Sequence, residues 1–431
     1  MAVARALLSY PDFRWLWLGQ TVSVVGDRMV LVALALFVTQ QSGSPYDVGL
    51  VLAAYTAPLV LFLLLGGVWA DRLPRQRVMI VSDLVRFTVH ASLAALIFTG
   101  EVEIWMVMAL EALFGTAEAF FRPAYTGLIP QTVPEELIGE AQAMTQAAAH
   151  TAEFAGPVLA TVLVLHVGAG YAFTVDAATF LVSAALLARL RPRTRGTPAA
   201  RSTLLRELRE GYREVRSRNW VWVTIAVFSA GLFVGLAPWF VLGPTVAIEQ
   251  YGTAAVFGLA VGALGAGTLC GSIIGMHYRP ARPMLTAFLV LAPWPLLPAA
   301  LALGAPRAAV LALAFATGIG FAIFSIAWET SLAQRIPPHA LSRVSAYDWM
   351  GSLGLLPIGY LVAAPAAHAL GASTVLLVGA ALLAVALAVG FAPRETRELR
   401  RPEPSAPETT PETQTDDHQH AEPAYSASGV T

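Results

Sequence analysis

The chain has 431 residues, of which 56% are hydrophobic and only 13% are charged. An ordinary soluble domain carries about 25% charged residues, so this composition cannot supply the polar surfaces of the two or three soluble domains that the length would otherwise indicate. The net charge is −1, and the chain contains no lysine, so all 27 lysine-or-arginine positions are arginine. The composition therefore excludes an ordinary soluble protein, and a single cysteine, Cys270, excludes a disulfide framework.

Twelve apolar segments are long enough to cross a membrane, since spanning the hydrocarbon core takes about 20 mostly apolar residues. We predict these spans at 15–39, 47–70, 78–99, 103–121, 139–165, 171–190, 220–247, 254–276, 284–303, 308–330, 344–366 and 372–392. The prediction is an all-α membrane protein. No cleavable signal peptide is expected, because no short apolar region with a small-residue cleavage site follows the N-terminus.

The spans fall into two groups of six, separated by a polar segment. We predict an N-terminal half at 1–190, a linker at 191–219, a C-terminal half at 220–392 and a tail at 393–431. With helical spacing, the leucines of the linker fall on one side and the arginines on the other sides, which is typical of an amphipathic helix on the membrane surface. Such a helix serves as a plain tether or as a contact for anionic lipid. The tail, rich in Pro, Thr and Glu, is predicted to be disordered.

Arginine is concentrated in alternate loops, in the linker and in the tail, whereas the other loops contain only Arg307. Loops rich in basic residues stay on the cytoplasmic side of a membrane. We therefore predict a multi-pass protein of the plasma or inner membrane, with both termini and the linker in the cytoplasm.

The two halves contain a weak internal repeat. The stretch YTGLIPQTVPEELIGEAQAM, which begins at Tyr125, is similar to WETSLAQRIPPHALSRVSAY, which begins at Trp328. Two six-helix halves related in this way are typical of a transporter that works by alternating access around a site between the halves. The sequence thus favours a transporter with two pseudo-symmetric halves.

The loop after the second predicted span reads GGVWADRLPRQR. It resembles motif A of the major facilitator superfamily, Gly-x-x-x-Asp-Arg-x-Gly-Arg-Arg, and its gate residues would be Gly67, Asp71, Arg72, Arg75 and Arg77. A proline and a glutamine replace the second glycine and one basic residue. The resemblance implies that Asp71 holds the two halves together in the outward-facing state. The alternative is an arginine cluster that only sets the topology.

The fifth predicted span carries small residues at every fourth position, a spacing that lets helices approach closely. Its segment around Gly156, Pro157 and Ala160 resembles motif C of the antiporters, although Leu159 and Ala160 replace the final glycine pair. The resemblance implies export by exchange, and generic helix packing is the alternative.

Three longer stretches point to one group within the superfamily: FRPAYTGLIPQTVPEELIGEAQA, FTVDAATFLVSA and LREGYREVRSRNW. They are similar to the third drug:proton antiporter group, which includes macrolide efflux proteins and the enterobactin exporter, over roughly residues 10–395. The resemblance implies a transporter of the major facilitator superfamily fold, not an enzyme, with no cofactor and no metal. A chain without lysine also cannot form an ATP-binding P-loop.

Ionisable residues within membrane spans are costly and are therefore candidates for function. The proton-coupling or substrate candidates are Asp27 on the first span, Glu111 and Glu118 on the fourth, and Glu153 on the fifth. In this superfamily the first and fourth helices line the central cavity. The alternative is a set of structural ion pairs, such as Glu118 with Arg122. Asp83 and Arg86, three residues apart, are expected to form a structural pair.

Aromatic residues of the second half, Trp239, Phe324 and Trp328, are candidates for a cavity wall that suits a bulky amphipathic substrate. We therefore expect a monomeric, proton-coupled efflux transporter that exports a small amphipathic compound such as a drug, an antibiotic or a siderophore-like molecule. Its partners would be protons, the small-molecule substrate and membrane lipid, and not nucleic acid. An importer or facilitator of a metabolite is the alternative, and a non-transporting scaffold or receptor is a third class.

Overall fold

Twelve membrane-length helices make up the computed structural model, which describes residues 2–191, 209, 212–278, 280–336, 344, 347–348 and 350–400. The helices are α1 (Pro11–Ser42), α2 (Pro45–Arg72), α3 (Arg75–Thr99), α4 (Ile104–Leu128), α5 (Ile138–Val162), α6 (Ala169–Leu187), α7 (Asn219–Tyr251), α8 (Ala255–His277), α9 (Pro283–Ala302), α10 (Arg307–Arg335), α11 (Met350–Leu370) and α12 (Ala372–Gly390). Each overlaps one predicted span, so the prediction of an all-α protein with twelve membrane-spanning helices is confirmed.

Three helices contain local irregularities. A π-helical turn extends α5 at Leu163–Val167 and another interrupts α7 at Leu232–Leu236. The ninth helix consists of two shorter pieces, Pro283–Leu289 and Pro293–Ala302, because a proline at position 293 cannot continue the hydrogen bonding of the first piece.

The six turns at the arginine-poor end of the molecule are short, and each contains a glycine with positive φ. These are Gly43, Gly100, Gly168, Gly252, Gly304 and Gly371. Glycine reaches this backbone region without steric cost, so it ends one helix and lets the next begin at once. These turns lie between consecutive spans of the sequence prediction.

At the arginine-poor end the two halves share one hydrophobic core. The last turns of α1, around Leu36 and Phe37, pack in this shared core together with Trp239 and Leu242 of α7 and Tyr360 of α11. At the arginine-rich end, the described residues form two separate cores, one in each half. The halves are therefore joined at the arginine-poor end and separate at the arginine-rich end, so the gap between them opens towards the arginines.

The contacts between the halves depend on glycines that let two backbones approach. On α2, a side chain at Gly49 would overlap the carbonyl oxygen of Tyr360 on α11. On α8, the glycines at 258, 262 and 265 face Thr161, Val158 and Glu153 of α5 in the same way. Small residues permit this close packing where apolar burial gives no driving force, as inside a membrane.

The first residues of the predicted tail are described by the structure. A short helix at Arg394–Glu398 follows α12, and a carboxylate oxygen of Glu395 accepts a hydrogen bond from the backbone nitrogen of Trp220, 3.2 Å away, at the start of α7. An acidic side chain is favourable at a helix N-terminus, and Leu399 is buried in the core of the C-terminal half. The described residues of the predicted tail, up to residue 400, therefore pack on the C-terminal half. Residues 401–431 and 192–208 lie outside the described residues, so the disordered tail and the amphipathic linker stay predictions.

Candidate functional site

The interior of the N-terminal half contains a buried ion pair near the middle of α3. Arg86 of α3 donates through Nη2 to Oδ1 of Asp83 at 2.5 Å, and both side chains are fully buried. The second oxygen of Asp83 accepts a hydrogen bond from Ser183 of α6 at 2.7 Å, and Ser183 in turn accepts one from Gln20 of α1 at 2.8 Å. The predicted structural pair is confirmed, and it links α3 to α6 and α1.

Aromatic rings also hold the Arg86 guanidinium in place. Its central carbon lies 4.0 Å from the ring centroid of Phe121 on α4 and 4.4 Å from that of Phe180 on α6. Cation–π contacts of this kind gain strength when the cation is removed from water. Arg86 is therefore fixed in position on several sides, as the centre of the polar interior.

Asp27 lies at the boundary between this interior and the gap. Its Oδ1 atom is 3.5 Å from Nη1 of Arg86, and 26% of its side chain is exposed. The neighbouring Arg28 is 49% exposed, and Arg122 on α4 is 42% exposed. Exposed charges in the middle of membrane-length helices face water or protein, not lipid. The open faces of α1 and α4 therefore face the gap between the halves.

Glu118 faces the same gap from α4 and is held by two partners. It accepts hydrogen bonds from Arg122 at 2.5 and 2.7 Å and from the Tyr55 hydroxyl of α2 at 2.6 Å. Only 10% of its side chain is exposed. The arginine is four residues away, so it stacks one turn further along the same face of the helix. The structural alternative for Glu118, an ion pair with Arg122, is thus present in the fold.

Glu153 of α5 lies on the opposite wall of the polar region. Its carboxylate is 3.4 Å from the Arg28 guanidinium and 3.2 Å from Nδ1 of His150. A little over a quarter of the side chain is exposed. Arg28 therefore pairs with Glu153, while Asp27 pairs with Arg86.

Glu111 does not face the gap but is buried inside the N-terminal half. Its Oε1 atom lies 3.5 Å from Nε2 of His90 on α3. The other ring nitrogen of His90, Nδ1, is 2.5 Å from Oδ2 of Asp176 on α6, and all three side chains are fully buried. The sequence prediction did not include His90. Its position, four residues after Arg86 and seven after Asp83, continues one polar stripe of α3 and is the signal that could have found it.

The proposed aromatic wall of the C-terminal half is packed away in this conformation. Trp239, Phe324 and Trp328 are each about 95% buried. The Phe324 ring stacks on Phe228 with a centroid distance of 4.2 Å, and the Trp328 indole nitrogen donates to Asp348 at 2.9 Å. These rings serve as core here, so their contact with a substrate stays a prediction.

The motif A loop ties three helices of the N-terminal half together. Arg75 donates to the carbonyl oxygen of Gly127 near the end of α4 at 2.5 Å, and Gln76 donates to the carbonyl oxygens of Leu187 and Leu190 at the end of α6. Gln76 stands where the motif has a basic residue, and its amide satisfies carbonyl groups that a helix end leaves free. Arg77 is exposed at the surface of α3.

The burial of Gly67 and the side chains of Asp71 and Arg72 lie outside the part of the chain that the structure describes. The gating role of Asp71 therefore stays a prediction.

The motif C-like segment lies in a three-helix contact. Gly156 packs against α1, where an added Cβ atom would lie 2.7 Å from Cβ of Arg28 and 2.8 Å from the Met29 nitrogen. Ala160 and Pro157 are buried on the same helix. The next face of α5 packs on the glycines of α8. One helix thus connects the charged face of α1 with the other half of the molecule.

Replacing Gly156 with alanine should destabilise the protein because the new methyl group meets backbone atoms that cannot turn away. Overpacking of this kind costs about 1–3 kcal/mol. We expect Gly156→Ala to lose its monodisperse elution peak at a lower temperature than the wild type. Gly139→Ala, on the same helix with open space around the glycine, is the matched control, and equal behaviour of the two variants would contradict the close contact.

Two six-helix halves, a shared core at one end and a charged gap at the other define a membrane transporter. The chain belongs to the family described as transmembrane secretion effector, a branch of the major facilitator superfamily, which matches residues 2–416. The expectation that the protein is a transporter and not an enzyme is thereby confirmed, as is its placement as a multi-pass membrane protein.

Curated relatives cover nearly the whole chain at low identity. Macrolide efflux protein A of Streptococcus pyogenes is 23% identical over 384 residues, which cover 87% of this chain and 94% of the relative. The multidrug efflux pump Tap of Mycolicibacterium fortuitum is 27% identical, covering 87% and 93%. The enterobactin exporter EntS of Citrobacter koseri is also 27% identical, covering 92% and 95%. These comparisons confirm the resemblance that the sequence motifs carried.

A solved structure supports the fold. A bacterial homologue of the human lysosomal transporter Spinster, in an inward-facing and unoccupied conformation, superposes with a TM-score of 0.68 at 16% identity. The match covers 92% of this chain and 99% of the homologue.

Proposed function

We propose that this protein exports a small amphipathic compound across the cell membrane in exchange for protons. The observation that carries the proposal is the placement of Asp27, a partly exposed carboxylate in the gap, 3.5 Å from a buried arginine. An ionised Asp27 is attracted to Arg86, whereas a protonated Asp27 is neutral and releases that arginine to Asp83 alone. One proton thereby changes the attraction between α1 and α3.

Export, as opposed to import, is supported by the relatives, whose names describe efflux of macrolides, of multiple drugs and of enterobactin. The close contact of α5 with α1 and α8 supports exchange, because a tight seal there would block leakage between the halves. The arginine distribution supports an orientation in which the gap opens to the cytoplasm. Substrate would enter from the cytoplasm and leave on the other side after the halves rock.

The experiment is drug-susceptibility profiling in an efflux-deficient host, with a macrolide and a lipophilic cation as probes. We expect expression of the protein to raise the tolerated concentration of at least one probe and a protonophore to remove the protection. Protection that survives the protonophore would contradict proton coupling. Increased sensitivity to a probe would favour the importer or facilitator instead.

Topology provides a separate expected result. Reporter fusions after Arg195 and after Arg400 should report the cytoplasm, and fusions near Gly43 and Gly168 should report the outside, because the arginines lie on one side of the membrane. An external linker would reverse the orientation and overturn the assignment of the gap to the cytoplasmic side. Alkaline phosphatase and green fluorescent protein, active on opposite sides, provide the paired measurement.

A further inference from the structure

The polar interior of the N-terminal half contains two layers at different depths. The first layer is Asp27, Asp83 and Arg86, which reaches the gap through Asp27. The second layer is His90, Asp176 and Glu111, which we name the histidine triad. His90 lies four residues further along α3 than Arg86, about 6 Å nearer the arginine-poor end of the molecule at 1.5 Å per residue. The histidine triad therefore lies further from the open gap than the first layer, near the arginine-poor end at which the halves are joined.

The histidine triad is covered by the core that joins the two halves. Phe173 of α6 lies edge-on to the His90 ring, with centroids 5.5 Å apart, and also edge-on to Phe37 of α1 at 6.1 Å. Both phenylalanines belong to the shared core. Phe114 of α4 stacks on the His90 ring with a centroid distance of 4.2 Å. Separation of the halves at the arginine-poor end would disturb this cover and admit water to His90 from that side.

The charges of the histidine triad do not balance without bound protons. With both carboxylates ionised and the imidazole neutral, the triad carries a charge of −2. With one bound proton the charge is −1, whether the proton resides on His90 or on Glu111, and a second bound proton makes the triad neutral. A buried net charge is costly, and the nearest cation, Arg86, is already paired with Asp83. The other charged groups around α3 are Asp27 of α1 and the Glu118–Arg122 pair of α4, which add no free positive charge.

Two facing atoms of the histidine triad lack hydrogen-bond partners among the described residues. These are Nε2 of His90 and Oε1 of Glu111, 3.5 Å apart and both fully buried. Buried polar atoms nearly always have partners, and each exception calls for an explanation, such as a bound water, an ion or a functional role. A shift of α4 against α3 by less than about 1 Å would bring the two atoms to hydrogen-bond distance. His90 is therefore hydrogen-bonded to Asp176, whereas its contact with Glu111 is not a hydrogen bond in this conformation.

Movement of α1 would reach the histidine triad directly. Gly26, next to Asp27, leaves space for the Asp176 carboxylate, and a side chain at this position would overlap Oδ1 of Asp176. The backbone of α1 thus touches the first layer on one side and the second layer on the other. A rocking motion that moves α1 changes the surroundings of both.

We propose that His90, Asp176 and Glu111 form a second proton-binding site, closed in this conformation, which exchanges one proton with the arginine-poor side when the shared core separates. The proton adds to the facing pair, forming N–H on His90 or O–H on Glu111, and leaves to water by the same route. The inference rests on the proposed proton coupling and adds a site to it, separate from Asp27.

The test measures how many protons are linked to the opening of the arginine-poor end. Spin labels at Gln41 on α1 and Gln250 on α7, both exposed at that end, are introduced in a Cys270→Ser background, and their distance distribution is recorded in proteoliposomes from pH 5 to pH 9. Each proton linked to opening changes the ratio of open to closed forms by up to about tenfold per pH unit.

We expect Glu111→Gln and His90→Gln each to lower this slope by up to one proton, which reduces the change per pH unit to as little as about a tenth of the wild-type change. Glu103→Gln and His368→Gln, exposed residues of the same types, should leave it unchanged. Glu111→Gln loses no hydrogen bond at Oε1, so we expect it to fold like the wild type. If the slope of monodisperse Glu111→Gln equals that of the wild type, the second site does not exist.

Asp27→Asn separates this inference from the proposed function. If Asp27→Asn lowers the slope and Glu111→Gln does not, the coupling site at Asp27 stands and the histidine triad is structural. If Glu111→Gln lowers the slope and Asp27→Asn does not, the triad is a proton site and the proposed role of Asp27 is overturned. A slope of zero in the wild type overturns both.

Discussion

Asp27→Asn should abolish uphill export and leave downhill exchange of substrate intact. A proton carrier must alternate between a charged and a neutral form, and asparagine is fixed in the neutral one. One charge moving through 100 mV supplies about 2.3 kcal/mol, which sustains a substrate gradient of roughly 40-fold. In proteoliposomes that contain Asp27→Asn, we expect the ratio of substrate concentrations across the membrane to fall to one, because binding and rocking no longer require the proton.

Asp47→Asn is the matched control, since Asp47 lies in the first turn of α2 at the arginine-poor surface, away from the gap. It should pump like the wild type. A structural role for Asp27 predicts a different outcome, namely loss of folded protein instead of loss of coupling, so elution profiles are recorded for both variants. Wild-type accumulation by Asp27→Asn would move the coupling site elsewhere, and Glu153 and Glu118 are then the next carboxylates to test.

The sequence predicted the twelve helices and the Asp83–Arg86 pair because both follow from local pattern. An apolar run of about 20 residues is visible in one dimension, and a spacing of three places two side chains on one helix face. Such a pattern shows that a helix is present and which side chains are neighbours on its surface. It does not give the partner on another helix.

The contacts between helices could not be predicted for that reason. A membrane helix is apolar on all sides, so its sequence scarcely indicates which face turns to lipid and which to the protein. The sequence pattern therefore places Glu111 with the cavity residues, although its Oε1 atom faces His90, and it does not single out Arg86 as the partner of Asp27. The close glycine contacts, such as that of Gly156 with α1, depend on two chain segments at once and are not visible in one of them.

Arg86→Gln should destabilise the N-terminal half more than any loss of a surface charge. The substitution leaves Asp83, fully buried, without its cation, and breaking a buried ion pair on one side costs about 3–5 kcal/mol. Total stability is only about 5–15 kcal/mol, so we expect little monodisperse protein after membrane extraction. Arg28→Gln is the matched control, since this arginine is half exposed and its pair with Glu153 is worth at most about 1 kcal/mol.

A second substitution distinguishes the buried charge from lost packing. In Asp83→Asn combined with Arg86→Gln, two amides replace the ion pair, position 83 no longer carries an unpaired buried charge, and Ser183 keeps an oxygen to donate to. We expect the double variant to recover much of the monodisperse peak that Arg86→Gln loses, as in a double-mutant cycle with strong coupling. No recovery would mean that Arg86 stabilises the fold chiefly through its contacts with Phe121 and Phe180, and the ion pair would then be a consequence of that packing.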